Sequence, residues 1–174
     1  MMTLIWIIVI VLGIPAILAL FIPKEYAVEA FTFINKPKHE VFDYLKYINN
    51  QEEYSKWVKT DPNIKKTLTG TDGTVGYIYA WNGNSKAGEG EQEITGIVDG
   101  ERITTEVRFI RPFKSVAHFY MTTEAESEHS TKIVWRMTGK SPYPINLMSA
   151  MMKGALRNDM NISLNDLKQI LESR

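Results

Sequence analysis

Residues 102–140 read RITTEVRFIRPFKSVAHFYMTTEAESEHSTKIVWRMTGK, and their alternation decides the fold. Successive side chains of a strand point to opposite faces, so one register per strand must sort apolar from polar positions. With Thr105, Val107 and Phe109 inward, Glu106 and Arg108 fall outward. With Phe119 and Met121 inward, His118 and Tyr120 fall outward. Ile133, Trp135 and Met137 inward leave Lys132 and Arg136 outside. Three half-buried strands follow, over 102–111, 114–127 and 131–140.

Working toward the N-terminus, Asp99-Gly100 is a strong two-residue hairpin signal, and Gly70, Asp72-Gly73 and Asn82-Gly83-Asn84 are turn chemistry. They bound strands over 64–70, 74–82 and 86–98. Tyr77, Tyr79 and Trp81 form one inward set. On 86–98, Glu89, Glu91 and Glu93 share one face, which leaves Gly88, Gly90, Gln92, Ile94 and Val98 inward. The inward glycines predict either free volume or a close helix approach. No helical crossover separates these strands, so the sheet is antiparallel.

A further strand precedes them at Tyr26 to Asn35, with Val28, Ala30 and Thr32 on one side and Phe31 and Phe33 on the other. Pro37 suits a first helical position, and Val41, Phe42, Leu45 and Ile48 recur at helical spacing. A second short helix, residues 50–57, presents Tyr54 and Trp57. Pro142 and Pro144 end the strands. Asn146 to Leu171 then carries Met148, Met152, Ala155, Leu156, Met160, Leu164, Leu167 and Leu171 at helical spacing, one long C-terminal helix. The fold class is α+β: a curved antiparallel sheet of about six to seven strands wrapped around that helix, with two short helices after the first strand.

The N-terminus reads differently. Leu4 to Ile22 has no charged side chain, and the first charge is Lys24. Nineteen residues at helical rise span about 28 Å, close to a bilayer's roughly 30 Å of hydrocarbon. The expectation is an N-terminal transmembrane anchor over residues 1–23, crossing through 3–22, and a domain over 24–174. A cleaved signal peptide fits less well: the n-region is only Met1-Met2-Thr3, and Ala16 and Ala19 make a poor cleavage pattern. Lys24, Lys36 and Lys38 downstream favour a cytoplasmic domain behind a single-pass anchor.

Composition excludes several classes. Twenty basic and twenty acidic residues cancel, so no concentrated positive surface is available for nucleic acid. There is no cysteine, hence no disulfide, thiolate metal site or cysteine nucleophile. His39, His118 and His129 lack ligand spacing, and no metal is expected. No nucleophile elbow, phosphate loop or dinucleotide fingerprint appears, and no cofactor is expected. The alternation Glu89-x-Glu91-x-Glu93 suggests a cation site or mutually raised carboxyls if it faces inward. In the register above it faces water, opposite Arg108, Arg136 or lysines of neighbouring strands.

The interior is aromatic and methionine-rich, the composition of an adaptable apolar cavity as well as of an ordinary core. Its candidate ligand-binding residues are Tyr77, Tyr79, Trp81, Gln92, Thr105, Phe119, Trp135, Met148 and Met152. Arg111, Phe113 and Tyr143, beside prolines at strand and helix ends, are candidates for a pocket mouth.

The residues also carry a resemblance. Trp57, the run Gly76-Tyr77-Ile78-Tyr79-Ala80-Trp81-Asn82-Gly83-Asn84, Gly88-Glu89-Gly90 with Ile94, and Glu101-Arg102-Ile103 before Phe109 and Pro112-Phe113 form one half. Thr131-Lys132-Ile133-Val134-Trp135, Asn146-Leu147-Met148 and Leu164-Asn165-Asp166-Leu167-Lys168 complete it. In this order they resemble the SRPBCC superfamily, in its polyketide cyclase/dehydrase and lipid-transport-like branch, related to START domains and birch-pollen-allergen proteins. The resemblance covers residues 25–173 and implies the helix-grip fold. It also implies a deep hydrophobic cavity for lipid-, polyketide- or quinone-like molecules. Some members of the superfamily catalyse aromatisation or hydrolysis, while others bind, carry or assist partners. The leading expectation is therefore a membrane-anchored binder of a hydrophobic small molecule rather than an enzyme. The alternatives are a cyclase- or hydrolase-like enzyme and a membrane-tethered interaction module.

Overall fold

The computed structural model describes residues 13–174. Strand β1 (Glu25–Ile34) leads into helix α1 (Lys38–Leu45), a 3-10 turn at Ile48–Asn50, the single turn α2 (Gln51–Tyr54) and a second 3-10 turn at Val58–Thr60. Strands β2 (Lys65–Thr69), β3 (Ile78–Asn82), β4 (Glu89–Val98), β5 (Arg102–Arg111), β6 (Ser115–Ser127) and β7 (Ser130–Lys140) follow, and helix α3 (Asn146–Ser173) ends the chain. The seven strands form one antiparallel sheet in the order β1-β7-β6-β5-β4-β3-β2. This is the expected helix-grip architecture.

The alternation read from the sequence holds on β5, β6 and β7. Thr105, Val107, Phe119, Ile133, Trp135 and Met137 are buried, and Arg136 is exposed. On β1, Val28 and Ala30 are buried while Phe31 and Phe33 are exposed on the other side. One expectation on β4 is corrected. A bulge between Ile94 and Gly96 shifts the pairing with β5, and side-chain alternation slips by one residue. Beyond it Ile97 packs on the core, while Val98, expected inward, is 41% exposed.

Helix α3 is unequal along its length. Met160, Ser163, Leu164, Leu167 and Leu171 recur at three- and four-residue steps and are buried against the sheet and the α1–α2 segment. Its N-terminal half is largely solvent-exposed, and the helix packs chiefly on β1 and α2. Lys56 Nζ and Trp57 Nε1 both donate to Asp159, and the Lys56 backbone N–H donates to Ser163 Oγ at 3.0 Å. The Asp72 carboxylate accepts from the backbone of Ile48 (2.9 Å) and Asn49 (3.1 Å), tying the β2–β3 loop to the first 3-10 turn.

The N-terminal expectation needs correction. Residues 1–12 of the proposed anchor lie outside the described residues. Among the described residues no helix is long and apolar enough to cross a membrane. Placement at a membrane through a single-pass anchor is therefore withdrawn. The end of that stretch meets α3: Asn146 Nδ2 donates to the carbonyls of Ala19 (2.7 Å) and Ile22 (2.8 Å), and Ala19 is 1% exposed.

Candidate functional site

The concave face of the sheet carries two kinds of side chain. Those near β1, β6 and β7 are closed into the core. Phe119 and Trp135 pack with Trp57 in an aromatic trio, with ring centroids 5.4 to 6.2 Å apart. Aromatic contacts at these separations favour edge-on geometry, and both pairs involving Trp57 adopt it.

Toward β3, β4 and β5 the same face stays half-open. Trp81, Phe109 and Gln92 point inward but are only partly buried. The Trp81 and Phe109 rings meet edge to face at 6.1 Å. Trp81 Nε1 donates to the Ala87 carbonyl at 3.2 Å, which fixes the indole. Gln92 Nε2 donates to the Oγ1 of buried Thr105 at 3.2 Å. The Gln92 amide oxygen and its second N–H have no partner among the described residues, and they are the polar capacity this surface offers a ligand.

Tyr77 and Tyr79 occupy a different place. Both are buried in a second cluster with Ile48 and Ile94. Tyr77 Oη donates to Asn49 Oδ1 at 2.7 Å, and Tyr79 Oη to Glu52 Oε1 at 3.2 Å. Burial, foremost, raises both phenols above their ordinary value, and the Glu52 carboxylate adds to it at Tyr79. Their hydroxyls hold the 3-10 turn and α2 against the sheet.

The candidates on α3 and at the mouth are exposed. Met148 and Met152 are each 46% exposed on the open half of α3. Phe113 and Tyr143 are exposed as well. Arg111 is already engaged: Nε donates to Glu89 (2.7 Å) and Nη2 to Asn82 Oδ1 (2.7 Å) and the Gly83 carbonyl (3.3 Å). It locks the β3–β4 turn to the end of β5.

The acidic alternation faces outward. Arg108 takes Glu91 through Nε (2.5 Å), Glu93 through Nη2 (2.7 Å) and Glu106 through Nη1 (2.6 Å). Those hydrogen bonds hold the guanidinium's pKa above its ordinary value. An acid–base mechanism using these carboxylates inside the concavity has no geometry here. Among the described residues no three donors gather as a metal site.

Phe109 belongs with the half-open group although it does not stand among the candidates chosen from sequence. Its signal is present all the same, because it lies in the inward register of its strand. Met121, also part-buried, lies apart from this group, across from Ile103 and Trp135. Among the described residues, grooves of about 500 and 430 Å³ lie on the outer face, and both include Arg136 and Thr138 in their walls.

No protein-family model matches the chain, and no curated protein matches it in sequence. Its fold does match solved structures. The norcoclaurine synthase of Thalictrum flavum, in complex with dopamine and hydroxybenzaldehyde, superposes with a TM-score of 0.65 at 10% identity, over 91% of this chain and 92% of that one. A solution structure of a protein from Arthrobacter aurescens gives 0.60 at 16% identity over 85% and 87%. Ara h 8.0201 gives 0.58 at 14% identity over 86% and 99%. At these identities the likeness establishes the fold alone: the chain has the helix-grip fold that those structures share.

Proposed function

We propose that this chain binds a hydrophobic small molecule, lipid-, polyketide- or quinone-like, on the concave side between the sheet and the open half of α3. The observation that carries this reading is the half-burial of Trp81, Phe109 and Gln92, which stand on neighbouring rungs of β3, β4 and β5. Inward-facing rings are normally driven to full burial, since closing such surface stabilises by about 25 cal/mol per Å². A set left part-open beside one hydrogen-bonding amide is the lining expected of an apolar site. Thr105, Phe119 and Trp135 form its floor, and Met148 and Met152 its adjustable wall. Tyr77 and Tyr79, committed to Asn49 and Glu52, shape the site rather than contact the ligand. The fold supports the reading, since the norcoclaurine synthase of like fold is seen with dopamine and hydroxybenzaldehyde.

Native mass spectrometry of the full chain, purified without detergent, tests it. The expected spectrum shows a co-purifying apolar adduct, or stoichiometric uptake of an added C16 fatty acid by the delipidated chain. A chain that stays free in both conditions overturns it.

A further inference from the structure

The outer face of the sheet carries a second arrangement, independent of the concave one. Strands β5 and β7 present six lysines and arginines: Arg102, Arg108, Arg111, Lys132, Arg136 and Lys140. Four are ion-paired, Arg108 and Arg111 as above, Lys132 with Glu124 at 3.2 Å and Lys140 with Glu25 at 2.8 Å. Arg102 and Arg136 have no carboxylate within 4.0 Å among the described residues and make no side-chain hydrogen bond. They are also the two guanidiniums that wall the same groove of about 430 Å³.

Register explains how they come together. Tyr120 on β6 lies directly across from Arg136, and Thr122 directly across from Arg102, so β6 runs a ladder of hydroxyls between the two charges. Thr138 adds a third hydroxyl to the groove wall. Glu29 sits across from Arg136 on β1 and also lines the groove, yet lies beyond ion-pair distance. A guanidinium presents a planar fork of donors that matches the two oxygens of a carboxylate or phosphate. Hydroxyls satisfy the remaining lone pairs, and the Tyr120 ring offers a stacking face.

We infer that this groove binds a small molecule through its oxyanion, a phosphate monoester or a carboxylate, held between Arg102 and Arg136 over Tyr120 and Thr122. The anion takes the place that carboxylates take at Arg108 and Arg111. Glu29 competes with it for Arg136 and limits affinity. Removing the charge of Glu29 therefore strengthens binding, whereas removing either arginine weakens it.

Amide NMR of the full chain, titrated separately with inorganic phosphate, phenyl phosphate and benzoate, tests the inference. Saturable shifts are expected at 102–104, 120–122 and 134–138 with at least one of the two aromatic anions. Phenyl phosphate alone identifies a phosphate ligand, benzoate alone a carboxylate, and a weaker response to inorganic phosphate assigns a role to the ring. Arg102→Gln and Arg136→Gln should each weaken binding about tenfold, as expected for losing one charge-assisted contact. Glu29→Gln should tighten it several-fold, and Lys132→Gln should leave it unchanged. Absence of saturable shifts overturns the inference. So does binding that the two arginine variants leave intact, or shifts confined to Trp81 and Gln92 on the concave face. The contrast between Arg136→Gln and Lys132→Gln, each of which removes one positive charge from the outer face of β7, separates a site from general charge, and the tightening by Glu29→Gln separates it from misfolding.

Discussion

Trp81 and Gly90 are register partners across β3 and β4, and the indole lies directly against the glycine. A Cβ at position 90 would stand 2.7 Å from the Trp81 ring and 2.6 Å from the Arg108 carbonyl oxygen. The missing side chain is thus filled by the indole and is not free volume. Gly90→Ala must displace Trp81 or the backbone of β5. The expected cost is about 1–3 kcal/mol, the usual range for overpacking, with a red shift in tryptophan emission. Thermal unfolding with fluorescence checks both. Gly154→Ala is the contrasting case: the position sits in exposed helix, and a methyl added there meets nothing within 4 Å. That variant should stabilise by about 0.5–1 kcal/mol.

Arg108 gathers three carboxylates whose side chains are 27–36% exposed. Arg108→Gln leaves Glu91, Glu93 and Glu106 facing one another without a counter-charge. Partial solvent screening keeps the loss at about 1 kcal/mol, and added salt should shrink it further. Urea unfolding of both proteins at low and high ionic strength measures the difference. A loss that does not change with salt would show that packing of the arginine stem dominates.

Alkaline stability follows from the buried phenols. Burial, then the nearby Glu53 carboxylate, push the Tyr44 phenol up to about 12, with Arg174 opposing. Burial likewise raises Tyr54 and Tyr79. An unfolded tyrosine titrates near 10, so the unfolded chain sheds these protons first. Their contribution is fully present below about pH 10 and is lost as pH rises toward about 12. The urea midpoint should therefore fall between about pH 8 and about pH 11, and Tyr44→Phe should reduce the fall. The Tyr44 hydroxyl is buried without a partner among the described residues, so the same variant should lose little or nothing at neutral pH.

Asn146 clamps the N-terminal stretch through Nδ2, while its own buried Oδ1 has no partner among the described residues. Asn146→Ala should cost about 1–3 kcal/mol and speed hydrogen exchange at Phe21 and Ile22. Asn146→Asp should be worse, because it sets a carboxylate against the Ala19 and Ile22 carbonyls. Exchange mass spectrometry resolves that segment directly. Equal protection in all three proteins would show that the clamp does not hold it.

Strand periodicity is legible in the sequence because a period of two leaves little choice once one face is apolar. That ground alone places Val107 and Met137 correctly. The reversal at Val98 is not legible, since a bulge is one extra residue and Gly96 alone does not announce it. The roles of Tyr77 and Tyr79 are hidden for another reason. Their partners Asn49 and Glu52 lie 28 and 27 residues away, on turns whose docking no local pattern encodes. The apolar run of α3 is clear, yet periodicity cannot tell its covered half, Met160 to Leu171, from its open half at Met148 and Met152. The uncharged N-terminal run matches a bilayer in length, but hydropathy alone does not establish a spanning helix.

The claim of an apolar site stands on the half-open concave face, and the indole N–H of Trp81 reports on it most directly. In a delipidated full chain, titration with an apolar ligand such as a C16 fatty acid should shift the Trp81 indole and Gln92 side-chain amide resonances saturably. The resonances of the outer-face residues around Arg102, Tyr120 and Arg136 should move much less. Signals that stay fixed, or that move only for the exposed methionines Met148, Met151 and Met152, would contradict a site on that face.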